Sequence, residues 1–225
     1  MRNILVIFLL VASSVTFGQS DSSKYAVQMS ITNGWSYRSL NSSNSEMNQV
    51  IEGLNEIEKG RYVMGFEAVL MRHLSKNFTV QSGLSYHTLG HRVDTLVDLG
   101  IENITYTLKY IQIPVSARFN FLEENKVSPY IQLGGQYGLL VGDVMEYKIR
   151  GANRSSRVVN EGEWQKHSFS LIGGAGVQVE LDPSNAFIAG VQGQYAVNGS
   201  TKTELNRNYY DMNLLLGWVI KLHAR

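Results

Sequence analysis

Eight stretches of this chain alternate apolar with polar residues, and the connections between them alternate long with short. Tyr25, Val27, Met29 and Ile31 stand against Gln28, Ser30 and Thr32, while Ile131, Leu133, Tyr137 and Leu139 stand against Gln132, Gln136 and Gly138. Successive side chains of a strand point to opposite faces, so each stretch has one greasy face and one polar or glycine face. The pattern predicts strands over 25–37, 61–74, 78–89, 105–121, 127–141, 166–181, 186–197 and 208–222. The connections at 75–77, 122–126 and 182–185 are tight, and Asp182-Pro183-Ser184-Asn185 carries turn chemistry outright. Those at 38–60, 90–104, 142–165 and 198–207 are several times longer and polar. Strands of this kind must hide their edges, and an even number closed on itself has none.

The chain begins with a basic head, Met1-Arg2-Asn3, then an apolar run over 4–12, then small residues up to Thr16-Phe17-Gly18. That is the layout of a secretory leader. The run is shorter than the roughly 20 residues of a spanning helix. Cleavage is expected after Gly18, leaving 19–225 as one barrel domain. With no cysteine, the chain lacks both a lipid-attachment residue and disulfides. Without Arg2, Lys+Arg falls from 20 to 19 and equals the 19 Asp+Glu, so the mature chain is formally neutral. Nucleic-acid binders carry a basic excess, and this chain does not.

Alternation alone leaves open which face is inside. A secreted lipocalin-type carrier also has eight strands, with an apolar pocket and a wet exterior. Three features favour the inverse arrangement. The polar faces hold bulky groups of both signs, Glu67, Arg118, Glu180, Asp211 and Lys221, beside Gln132 and Gln136. The apolar faces carry aromatics near both ends: Tyr25, Phe78, Phe121 and Phe187 at one, Trp35, Tyr37, Tyr62, Tyr86 and Tyr195 at the other. Such girdles mark the two interfaces of a bilayer. The long–short rule is the third feature, because outer-membrane barrels put short turns in the periplasm and long loops outside. The expectation is an all-β, eight-stranded antiparallel up-and-down transmembrane barrel in the bacterial outer membrane. Its lumen is just wide enough for side chains to fill, which predicts a packed polar core in which Glu67, Arg118 and Glu180 converge. Pro114 cannot donate to a ladder, so a bulge is expected there, with Leu108 and Tyr110 facing outward before it and Ile113 and Val115 after it.

Tyr110-Ile111-Gln112-Ile113-Pro114 with Val115-Ser116-Ala117-Arg118, then Val127-Ser128-Pro129-Tyr130-Ile131-Gln132-Leu133-Gly134-Gly135, then Gly173-Gly174-Ala175-Gly176-Val177, resemble strand motifs of the PorT-like outer-membrane β-barrel family. The resemblance runs over nearly all of the mature chain. It implies an eight-stranded barrel in a Gram-negative outer membrane and a link to protein secretion, the association of the family's founding member. It carries no catalytic motif. The chain departs from many such barrels in ending Ile220-Lys221-Leu222-His223-Ala224-Arg225 rather than on an aromatic residue.

Few residues suggest chemistry. The glycine cluster at 173–176 is followed by more strand rather than a helix, so it is not a nucleotide loop. His87, His91 and Asp94 fall where the third strand enters its loop, the rim position at which a membrane acyltransferase or protease would work, yet no nucleophile is paired with them. No catalytic residue, cofactor or metal site is expected. Met47, Val50, Ile51, Leu54 and Ile57 recur at helical spacing within the first long loop, an amphipathic helix that either folds over the barrel mouth or offers a contact surface. Lys148, Arg150, Arg154 and Arg157 precede Glu161 and Glu163, a mixed-charge loop of the kind that is usually just solvated, although its arginines have the chemistry to pair with lipopolysaccharide phosphates. The expected partners are outer-membrane lipid, lipopolysaccharide and an unidentified protein, with the barrel itself a monomer.

Overall fold

Alternation along each strand becomes inside and outside once the strands pair. A computed structural model of the chain describes residues 24–42, 44, 47–96, 101–121, 126–149, 155–158, 164–201 and 205–222. The elements in order are β1 (Tyr25–Asn41), α1 (Asn48–Ile57), β2 (Glu58–His73), β3 (Phe78–Leu96), β4 (Ile101–Asn120), β5 (Val127–Ile149), β6 (Ser155–Val158), β7 (His167–Asp182), β8 (Asn185–Ala196) and β9 (Asn206–Leu222). Each long strand pairs antiparallel with the next, and β1 pairs with β9 through a continuous register from Tyr25↔Leu222 to Asn41↔Asn206. Eight strands thus form a closed ring. The short β6 lies outside it, as a ribbon on the far end of β5. The leader and the last three residues lie outside the described residues.

The apolar face is the outer one. Gln28, Ser30 and Thr32 of β1 are buried while Met29 and Ile31 are exposed. On β5, Gln132 and Gln136 are buried while Leu133 is 75% exposed. A water-soluble carrier needs the reverse, so the lipocalin alternative does not hold. The short connections are held by local bonds. Asn77 Nδ2 donates to the Asn120 carbonyl at 2.6 Å, tying two turns together. At the third, the Asn185 amide and then the Ser184 N–H hold the Asp182 carboxyl below the usual carboxylate range.

Three expectations are corrected. The strands run further toward the long loops than the alternation indicates: β3 reaches Leu96, β4 starts at Ile101 and β5 continues to Ile149. Pairs such as Arg92↔Thr105 and Asn103↔Lys148 extend the ladder there. Past the bilayer the outer face meets water, so the apolar signal fades there while the backbone ladder continues. Second, Pro114 makes no bulge. Tyr110, Gln112, Pro114, Ser116 and Arg118 all face inward, and Leu108 does too. The extra residue is Val141 on the partner strand, since Lys109 pairs with Gly142 and Tyr110 with Leu140. That bulge flips the parity of β5, so Gly138 and Asp143 both end up inside. The ladder between β3 and β4 simply skips at the proline, from Ser82↔Val115 to Ser85↔Gln112. Third, the lumen is not polar throughout. Ala26, Val69, Met71, Ala186, Ile188, Leu215 and Val219 form an apolar cluster on the β8–β9–β1–β2 side of its turn-proximal half. Leu89, Leu108, Tyr110, Trp164 and Tyr209 form a second toward the loops.

Candidate functional site

The interior of the barrel is where this chain concentrates its buried polar groups. Arg118 points inward near the turn-proximal end of β4 and is wholly buried. Its Nη2 donates to Gln28 Oε1 at 2.8 Å and Gln132 Oε1 at 3.1 Å, from β1 and β5. Its guanidinium lies 4.3 Å over the Tyr130 ring, and Gln132 Nε2 donates onward to Ser116 Oγ at 3.2 Å. A planar five-donor cation suits this role, because it spreads one charge over several acceptors and a π face. Glu67 is buried on β2 and couples electrostatically to both Arg118 and His87. His87 Nε2 donates to Asp211 Oδ2 at 2.9 Å, and Asn213 Nδ2 donates to Asp211 Oδ1. Gln136 donates to Gln194 across the β5 and β8 walls.

Arg118 and Glu67 therefore come together, with Gln132 beside them, but Glu180 does not join them. Glu180 sits at the turn end of β7, where it accepts from Lys221 Nζ at 2.6 Å and Gln178 Nε2 at 2.8 Å. Asp211 belongs to His87 and not to the arginine.

The rim reading of the histidines is overturned. His87 and His91 are buried inside the wall, because β3 extends past both. Asp94 is separate from them, paired on the surface with Arg92 and Lys59, which hold its carboxyl below the usual range. His91 instead joins a knot at the mouth. Its Nδ1 is 2.8 Å from the Tyr209 hydroxyl, its ring stacks on Tyr106, and its Nε2 lies 3.6 Å from Glu58. Glu58 also accepts from Arg38 and, at 3.2 Å, from Arg207. Arg38 reaches further, to the Leu54 carbonyl at 2.9 Å and Asn55 Oδ1 at 2.7 Å, so it pins the C-terminal end of α1. Glu58 and Arg38 were hidden from sequence reading by their place in an expected loop.

The helix forms where its spacing predicts, packed against β2 and β3, yet none of its residues is fully buried. Met47, Ile51, Leu54 and Ile57 are half-buried and Val50 is exposed. Outside, Trp35, Tyr37, Tyr62, Phe78, Tyr86, Phe121 and Tyr195 are exposed and Tyr25 and Phe187 half-exposed. Trp35 meets Tyr62 edge-on and Tyr37 stacks on Tyr210, an aromatic that the sequence reading did not single out. Of the basic loop residues, Lys148 pairs with Glu102 at 2.8 Å. Arg150, Arg154, Glu161 and Glu163 lie outside the described residues, and Arg157 falls on β6.

The space between Glu67, His87, Gln112, Gln194, Asp211 and Asn213 measures about 20 Å³. That is room for about one water molecule.

Comparison with known proteins agrees with this architecture. Residues 17–202 match the family described as outer membrane protein beta-barrel domain. Neisserial surface protein A, from Neisseria, is similar at 16% identity over 89% of this chain and 98% of its own, with a TM-score of 0.50. OprG of Pseudomonas aeruginosa is similar at 13% identity over 91% and 98%, with a TM-score of 0.52. At such identities the likeness is one of fold. Among curated proteins no sequence matches. The apolar exterior and the matched family place the barrel in the bacterial outer membrane, which it crosses with its strands. The chain belongs to the outer membrane protein beta-barrel domain family.

Proposed function

We propose that this barrel is a non-enzymatic outer-membrane protein with a closed lumen, serving a structural, surface-display or partner-docking role through its outward loops. The observation that carries this reading is Arg118, wholly buried and bonded to strands on both sides of the lumen. A conducting pore would leave that cation in water, where it needs no such partners. The apolar clusters on either side of the polar centre support the same reading, since ions crossing them would lose hydration. His87 is engaged by Asp211, and His91 by the buried Tyr209 hydroxyl and Glu58; among the described residues no serine, threonine or cysteine is bonded to either.

Within the family, the Ile113-Pro114 and Pro129-Tyr130 pairs favour the PorT-like branch and, with it, a role connected to protein secretion. The barrel works as a monomer in contact with lipid and lipopolysaccharide, and its protein partner binds at the loop end. Planar-bilayer recording tests the central claim. The full-length protein should show no large stable conductance, and a reproducible open pore would overturn the reading. Co-purification from native membranes then identifies what binds the loops.

A further inference from the structure

The centre of the lumen has a donor and acceptor pattern that selects its own occupant. Within the described residues, four residues lining the central space each carry a buried polar atom with no hydrogen-bond partner: Glu67 Oε1, Gln112 Nε2, Gln194 Nε2 and Asn213 Oδ1. All four residues are more than nine-tenths buried. They come from β2, β4, β8 and β9, on opposite walls of the ring. Each amide has its other end committed. Gln112 Oε1 accepts from Ser85 Oγ at 3.3 Å, Gln194 Oε1 accepts from Gln136, and Asn213 Nδ2 donates to Asp211. The ends that remain are two acceptors and two donors.

A metal cation there would face two N–H donors, and an anion would face a carboxylate and a carbonyl. Only a ligand that both donates and accepts satisfies all four. The volume of about 20 Å³ excludes anything larger than a single small molecule of that kind, since one water needs roughly 10–15 Å³. We propose that this is a binding site for one internal water molecule, which cross-braces the β2–β4 wall to the β8–β9 wall. A buried polar atom without a partner is costly, so this water is part of the folded barrel and not solvent passing through. It exchanges with bulk slowly because apolar clusters lie toward either end of the lumen.

The test is water-to-side-chain cross-relaxation by NMR on the full-length barrel folded in detergent micelles. The side-chain amide protons of both Gln112 and Gln194 should show cross-peaks to water with the sign of a long-lived bound molecule. Cross-peaks that are absent, or carry the sign of fast surface hydration, at either amide of the folded protein would overturn the site. The double variant Gln194→Met with Asn213→Leu removes one donor and one acceptor and fills the space. Its Gln112 cross-peak should vanish, and an unchanged cross-peak in a folded variant would likewise overturn the proposal. If that variant does not fold, the wild-type measurement decides alone. Bilayer recording reports on the two ends of the lumen and this measurement on its centre, so the two readings fail separately.

Discussion

Two buried arginines, Arg118 near the turn end of the barrel and Arg38 at its mouth, show opposite ways of keeping a cation inside a protein. Among the described residues Arg118 has no carboxylate in hydrogen-bond contact. It relies on two glutamine carbonyls and a tyrosine ring, with Glu67 acting through space. Arg38 pairs directly with Glu58, which also holds Arg207. Solvent explains the difference. Arg207 is partly exposed at the mouth, so water screens that knot and can replace a lost partner. Arg118 is wholly buried, and the partners it has come from the fold. The deep site therefore ties distant strands together, whereas the mouth site ties a loop helix to the wall.

The largest effect is expected at the deep arginine. Arg118→Leu should destabilise the barrel by about 3–5 kcal/mol, because Glu67 is left buried without its cation. Chemical unfolding in detergent or lipid measures it. A silent Arg118→Leu with a severely damaging Gln132→Leu would mean that the amides, not the charge, carry the site. Next comes the outer surface of the same wall. Leu133→Arg puts a charge on the most exposed face of β5 and should cost roughly 2–4 kcal/mol if the site lies near the midplane. If it costs nothing in lipid, the apolar face does not contact the bilayer core.

At the mouth, Glu58→Gln keeps the shape and removes the anion. A loss of about 1.5–3 kcal/mol is expected, the range for hydrogen bonds to charged groups. Loss of protection in α1 should accompany it, read by hydrogen exchange. A cost equal to that of Arg118→Leu would show that solvent does not soften the mouth site. The smallest effects sharpen the inside–outside contrast with two adjacent glycines. A Cβ on Gly134, facing inward, would lie 2.3 Å from the Val115 carbonyl oxygen, whereas one on Gly135, facing outward, would lie 3.5 Å from that of Ser170. Gly134→Ala should cost about 1–3 kcal/mol by overpacking, and Gly135→Ala should stay within about 0.5 kcal/mol. Equal costs would mean that close packing in the lumen does not explain the inward glycine.

The alternation of β1 and β5 made the strands and their faces legible, because side-chain direction is a property of each strand alone. Alternation put Gln28, Gln132 and Arg118 on the polar faces, and the charges of both signs, the aromatic girdles and the long–short loops then placed those faces inside. Their bonding to one another could not be read, since it depends on the stagger between strands that lie far apart in the chain. The same holds for Glu180, which has the right face but the wrong height to meet Arg118, and finds Lys221 instead. Glu58 and Arg38 were lost for another reason. Beyond the bilayer the outer face of a strand meets water while the inner face still carries polar groups, so nothing in the residue pattern distinguishes a continuing ladder from a loop.

The all-β class, the eight crossing strands, the alternation of short turns with long connections and the outward apolar face were all legible in the residues alone. The strands and turns follow from the period of two and the turn residues between strands, and the outward apolar face from the aromatics and charges each face carries, all of which are local. Tertiary structure alone decided that the parity flip belongs to Val141 and not Pro114, that apolar clusters interrupt the polar lumen, and that His87 and His91 are buried partners of Asp211, Tyr209 and Glu58. Each of these depends on register around a closed ring, where one residue of slip moves every side chain to the other face. Only the assembled ladder sets that register.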